Sequence, residues 1–130
     1  MTAANHFGEA SVPKIYAFTT PDYAGRVWED GKGIGALKVG YTTLTDVNDR
    51  ISQGLINTPE PQWDLRFVEP AVGDHGAFKD HQVHAILEDM GRLRLSGPEG
   101  ERTEWFECTV EDVRAAVQAV RSGEPAAPGR

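Results

Sequence analysis

Lys14-Ile15-Tyr16-Ala17-Phe18-Thr19-Thr20, a glycine-rich excursion over 21–35, and Ala36-Leu37-Lys38-Val39-Gly40-Tyr41-Thr42 decide the fold. The first run places Ile15, Ala17 and Thr19 on one side and Tyr16, Phe18 and Thr20 on the other. Apolar groups on both sides predict a central strand. Pro21-Asp22 ends it. The second run predicts a strand over 36–42 that hands over to a helix at about 45–55. Thr45 is the expected N-cap of that helix, and Asp46 suits the positive end of its dipole. Val47, Ile51 and Leu55 recur every fourth residue as a buried stripe, with Arg50 beside it. Tyr16, Lys38, Tyr41 and Arg50 form a set of phenols and cations that no other stretch of the chain repeats.

Working outward, residues 1–13 are small and polar, end at Pro13, and read as a flexible N-terminal arm. Residues 57–62, Asn-Thr-Pro-Glu-Pro-Gln, read as a turn. Residues 63–69 alternate as a third strand, stopped by Pro70. A helix is predicted over about 76–90, with Val83, Ile86, Leu87 and Met90 in one apolar arc. Asp80 and His84 are i,i+4 neighbours at the edge of that arc, and His81 points to solvent. Residues 91–103 are charged and contain glycine, and Glu104 to Cys108 read as a short extended segment. Thr109 caps the last helix with Asp112 three residues on, and Val110, Val113, Val117 and Val120 form its buried face. Residues 123–130 read as a disordered tail or linker. The order β-β-α-β-α-(β)-α over 14–122 predicts an α/β (α+β) domain, a small, mostly antiparallel central sheet flanked by helices.

The loop at 21–35 is too long for a tight hairpin turn. Such a connection is either a lid or binding loop or a plain variable loop. Gly31-Lys32-Gly33-Ile34-Gly35 lacks the Gly-Lys-Ser/Thr ending of a phosphate loop and does not open onto a helix. Thirteen Lys+Arg against twenty Asp+Glu give a net charge of −7, which argues against a generic DNA coat and leaves room for a local basic cleft. No apolar run approaches the ~18 residues of a membrane span. The single cysteine, Cys108, cannot form an internal disulfide, so a reducing cytoplasm is the expected compartment.

Five short motifs, in order and at suitable spacing, resemble the GIY-YIG nuclease superfamily, in its phage-T5-type branch where the second motif reads Lys-Ile-Gly. They are Lys14-Ile15-Tyr16, Lys38-Val39-Gly40-Tyr41-Thr42, Arg50, Asp80 with His84, and Glu104-Trp105-Phe106. The resemblance covers about residues 14–120 and implies a GIY-YIG-like fold. It also implies a metal-dependent DNA endonuclease domain that uses Mg²⁺ or Mn²⁺. Two departures stand out. Asp80 replaces the usual metal-binding glutamate, one methylene longer, and the 21–36 loop is longer than usual.

On the resemblance, Asp80 holds the metal. Tyr16 or Tyr41 relays the proton of the attacking water, helped by the cations Lys38 and Arg50. Arg50 suits bidentate phosphate binding. His84 orients water or protonates the leaving group. Gly40, Glu104 and Trp105 contact the substrate, with Trp105 walling the cleft or stacking on a base. DNA is the implied partner, with a larger helicase or nuclease assembly or a second copy as further candidates. Plainer readings stand beside each of these. Tyr16 can be a core tyrosine, Arg50 a solvated helix residue, Asp80 and His84 a surface pair, and Trp105 and Phe106 core. Lys38 fits a plain reading least, because a central-strand lysine must find a partner or water, and Glu104 can balance it. A weakly catalytic nucleic-acid-binding module of the same fold is one alternative. A transition-metal site drawn from Asp74, His75, Asp80, His81 and His84, with His81-x-x-His84 as ligand pair, is another.

Overall fold

The computed structural model describes residues 12–54 and 62–123. The expected arm over 1–11, Leu55, the turn at 57–61 and the tail over 124–130 lie outside the described residues. The strands are β1 (Lys14–Thr19), β2 (Leu37–Thr42), β3 (Asp64–Pro70), β4 (Val72–Gly73), β5 (Gly76–Ala77), β6 (Arg94–Ser96) and β7 (Arg102–Phe106). The helices are α1 (Pro21–Ala24), α2 (Val47–Gly54), α3 (Asp80–Asp89) and α4 (Val110–Ser122). Five strands form one antiparallel sheet in the order β3-β1-β2-β7-β6, and β4 and β5 form a separate hairpin. The fold is α+β, with β1 flanked by a strand on each side, as its two apolar faces require.

Each sheet face carries a core. One face buries Ile15, Ala17, Leu37, Val39, Phe67 and Phe106 under α3 and α4, which contribute Val83, Leu87, Val113, Ala116 and Val117. A fully buried Val or Leu of this kind contributes roughly 1.5–3 kcal/mol. The other face buries Tyr16 and Phe18 under Val47 and Ile51 of α2, with Trp63, Leu65 and Trp105 packed around them. Among the described residues, no helix is long and apolar enough to cross a membrane.

Several boundaries differ from the sequence reading. Asp46, not Thr45, sits at the head of α2, where its Oδ1 accepts the Asn48 N–H at 3.0 Å. Helix α3 starts at Asp80 rather than 76, because Gly76 takes φ +98° and turns the β4–β5 hairpin just before it. Gln82 Oε1 then accepts the Lys79 N–H at 2.9 Å. Residues 91–103 contain β6, which pairs with β7. It is a three-residue edge strand, set by its backbone partner rather than by a buried face. Helix α4 begins as read, with Thr109 and Asp112 bonding each other's N–H at 3.1 and 2.9 Å. It ends on Gly123 in the left-handed conformation.

Candidate active site

The site forms where two strands part. β2 pairs with β7 only at Leu37–Phe106 and Lys38–Trp105. Beyond those pairs, residues 39–42 and 102–104 run on without bonding each other. The Val39 carbonyl, freed of a strand partner there, accepts His84 Nε2–H from α3 at 2.7 Å. This fork lets side chains from both sheet faces meet.

From the α3 face come Asp80, His84 and Glu104. One donor atom from each lies within 4.8 Å of the other two. The Asp80 and Glu104 carboxylates are close enough to share a proton. Burial first, and then the charge of Asp80 and its hydrogen bond, push the Glu104 carboxyl up, against the pull of Lys38 and Arg50. His84 is only 3% exposed, where a position at the cleft edge was expected. Burial holds its pKa down, partly offset by the Val39 bond and by Asp80, so it is neutral at neutral pH. With Nε2–H donating to Val39, Nδ1 carries the lone pair. An imidazole backed by a backbone carbonyl and two facing carboxylates is a donor set that suits a divalent ion.

From the α2 face come Tyr16, Lys38 and Arg50. Tyr16 stands opposite Gly40 in register. Its ring lies across that glycine, and a Cβ at position 40 would sit 2.5 Å from its Cζ and Oη. The bare glycine thus lets a residue of β1 extend its hydroxyl over β2, toward the fork. Burial raises the Tyr16 pKa, Arg50 opposes this, and Glu104 and Asp80 add to it. Tyr16 therefore feels the α2 guanidinium and both carboxylates together. Lys38 and Arg50 have no carboxylate within ion-pair distance among the described residues. Lys38 Nζ stands 6.0 Å from the Phe18 ring.

Other residues fall elsewhere. Tyr41 packs on the α3–α4 core, opposite the face of Tyr16, with Lys79 Nζ 5.8 Å from its ring. The two phenols do not share a face. His81 is exposed, as read, and among the described residues it joins no cluster of metal-ligating groups. Asp74 and His75 lie by the end of α4, where the Asp74 N–H bonds the Arg121 carbonyl and His75 abuts Gly123. The structure therefore does not assemble the histidine-pair metal site. Trp105 has one face covered, stacked on Tyr23 at 3.7 Å between centroids, and meets Phe18 edge-on at 5.6 Å.

Two arrangements escaped the sequence reading, which gave Glu104 only a substrate contact and a charge to balance Lys38. Glu104 joins Asp80 and His84, a grouping across more than twenty residues that no helix wheel displays. Buried Glu107 clasps the 21–35 loop, accepting from Arg26 Nε at 2.9 Å and from the Glu29 N–H at 3.1 Å. Within the loop, Val27 bridges Ile34 and Trp28 Nε1 donates to the Gly35 carbonyl at 2.7 Å. The loop is a pinned hairpin, built on a carboxylate 78 residues downstream of Glu29.

Residues 14–121 match the T5orf172 domain family, and the chain belongs to that family, which is associated with nuclease-like domains. No curated protein and no solved structure matches the chain.

Proposed function

We infer that this T5orf172-family chain is a metal-dependent endonuclease of GIY-YIG type, hydrolysing phosphodiester bonds in DNA. The observation that carries the reading is the convergence at the β2–β7 fork. Unpaired Lys38 and Arg50 face a close Asp80–Glu104 pair, with Tyr16 within electrostatic reach of Arg50, Asp80 and Glu104. Two carboxylates held this close favour a cation between them, and two unpaired cations beside them favour an anion. A phosphodiester with its ion supplies both.

Asp80, Glu104 and Nδ1 of His84 would hold the Mg²⁺ or Mn²⁺ ion. Once bound, it would acidify a water and polarise a phosphoryl oxygen. The rest is done by the chain's own groups. Arg50 grips two phosphate oxygens through its planar fork, and Lys38 adds a point charge. Both stabilise the charge that develops in the transition state. A phenol held above its ordinary range stays protonated at neutral pH, so Tyr16 donates a hydrogen bond and orients water or phosphate. Of the two tyrosines it is the better placed, because Tyr41 stands on the other face. The Val39 carbonyl fixes the tautomer and angle of His84.

Divalent-dependent nicking of supercoiled plasmid tests the reading. Arg50→Ala and Asp80→Ala should each lose roughly 10²–10³-fold while still folding, the loss typical of one transition-state contact. Wild-type cutting in both variants dismisses the assignment. A second reading, a weakly catalytic DNA-binding module of the same fold, draws on Asp80, one methylene shorter than glutamate, and on the net charge of −7. Salt-sensitive binding with no cutting in any divalent metal would select it.

A further inference from the structure

Beside the fork lies a cleft of about 660 Å³, lined by Tyr23, Arg26, Lys38, Thr103, Glu104 and Trp105 together with the β6–β7 turn. It opens directly onto the site, because Lys38 and Glu104 belong to both. Its wall is the long loop that nothing in the proposed chemistry uses.

Three features of the cleft call for a ligand. Tyr23 is half-buried and stacked on Trp105 at 3.7 Å and 13°, so its remaining surface is the opposite ring face and the phenol edge. The stack is firm, because Phe18 meets Trp105 edge-on from the core and the Glu107 clasp anchors the loop that carries Tyr23. The Trp105 indole N–H has no acceptor among the described residues, and no polar side-chain atom there is both sealed and unpartnered. Lys38 supplies an unpaired cation at the mouth. Arg26 is already taken by Glu107, and the Glu101 carboxylate turns back to accept the Glu99 N–H. The cleft thus offers one aromatic face, one indole N–H without an acceptor among the described residues, and one cation without an ion-pair partner among them, next to the Glu104 carboxylate that it shares with the site.

We propose that this cleft seats a single unpaired nucleotide next to the scissile phosphate, with its base stacked on Tyr23 and its phosphate on Lys38. Flat aromatic faces accept any base only when that base is out of the duplex stack. A paired base keeps both faces covered by its neighbours. The substrate class is therefore a strand with an unpaired base at the cut: single-stranded, bulged or flipped. The position of the cut rests on the nuclease reading above; the binding does not.

The test uses the full chain in EDTA, so that cleavage plays no part. The probe is a single-stranded decanucleotide carrying one 2-aminopurine, compared with the same strand in a perfect duplex. Stacking should quench the probe on binding, and the single strand should bind at least roughly tenfold more tightly than the duplex. Tyr23→Ala and Tyr23→Leu should each weaken single-strand binding roughly tenfold, while Tyr23→Phe keeps it. Leucine still covers Trp105, so its loss reports the aromatic face rather than folding. An unquenched wild-type complex, equal affinity for duplex, or wild-type binding by Tyr23→Leu overturns the proposal. Intact quenching in a chain that fails to cut in any divalent metal supports the cleft and counts against the nuclease reading alone.

Discussion

Gly40→Ala should reverse sign with its neighbour. The added Cβ would stand 2.5 Å from Tyr16 Cζ and Oη and 3.0 Å from Cε1. Ordinary carbon contacts are about 3.5–4.0 Å, so the phenol must retreat by about 1 Å. It has little room, being 3% exposed and stacked on Phe18 at 6.2 Å. Overpacking of this kind costs about 1–3 kcal/mol. The Gly40 backbone adds no strain of its own, since it is not among the glycines with positive φ. With Tyr16→Val in place, the obstacle is gone and alanine becomes the better strand residue by about 0.5–1 kcal/mol. Urea unfolding of the four chains gives a double-mutant cycle, with an expected coupling of about 1.5–4 kcal/mol. Tyr16→Val has its own cost, below the ~3–5 kcal/mol of a full truncation to alanine. In plasmid nicking, Gly40→Ala alone should lose about 10²-fold, the usual penalty for a group misplaced by ~1 Å. If Gly40→Ala costs the same in both backgrounds, the phenol does not cross the strand there and the geometry of the site is misread.

Other perturbations follow from the same structure. His84 is held neutral by burial; an unfolded histidine takes up its proton below about pH 6.5, so metal-free stability should fall with pH from there through the lower folded pKa, by at most ~1.4 kcal/mol per unit. A pH series of melts should show that slope in the wild type and lose it in His84→Gln; an unchanged slope would place the histidine in water. Glu107→Gln removes the clasp charge and should cost about 1–3 kcal/mol, with faster amide exchange over 26–35; unaltered exchange would mean the loop holds itself. Cys108 is buried, and burial pushes its thiol up to about 12, so native protein should resist thiol-reactive dye until unfolded; fast labelling would contradict its place in the core.

Much of this was legible in the chain. Apolar residues on both sides located β1, alternation located β3, and the Thr109–Asp112 pair marked the start of α4. Strand β6 was missed although Arg92-Leu93-Arg94-Leu95-Ser96 alternates, because the stretch was read only for its charge and glycine and a three-residue edge strand is defined by its backbone partners. The helix wheel put His84 at a cleft edge and could not register that Val39, forty-five residues earlier, offers it a carbonyl. It also paired His84 with His81, since a wheel compares only residues of one helix. The third donor, Glu104, arrives from a strand. Tyr41 was grouped with Tyr16 as the second phenol of one set, yet Tyr16 stands opposite Gly40 and strand parity sends residues 40 and 41 to opposite faces. The sequence named the residues of the site; the sheet decided which of them meet.

A sheet is ordinarily a partition, keeping whatever happens on one surface from the other. Here the seam between β2 and β7 is stitched for two residue pairs and then left open, so the partition has a window. Its sill lies at Lys38 and Trp105. One more stitch would slide that sill by about 3.3 Å along the strands. A chain built on this plan thus has a simple way to resize the opening: adjust how far two strands are zipped, and leave the walls alone.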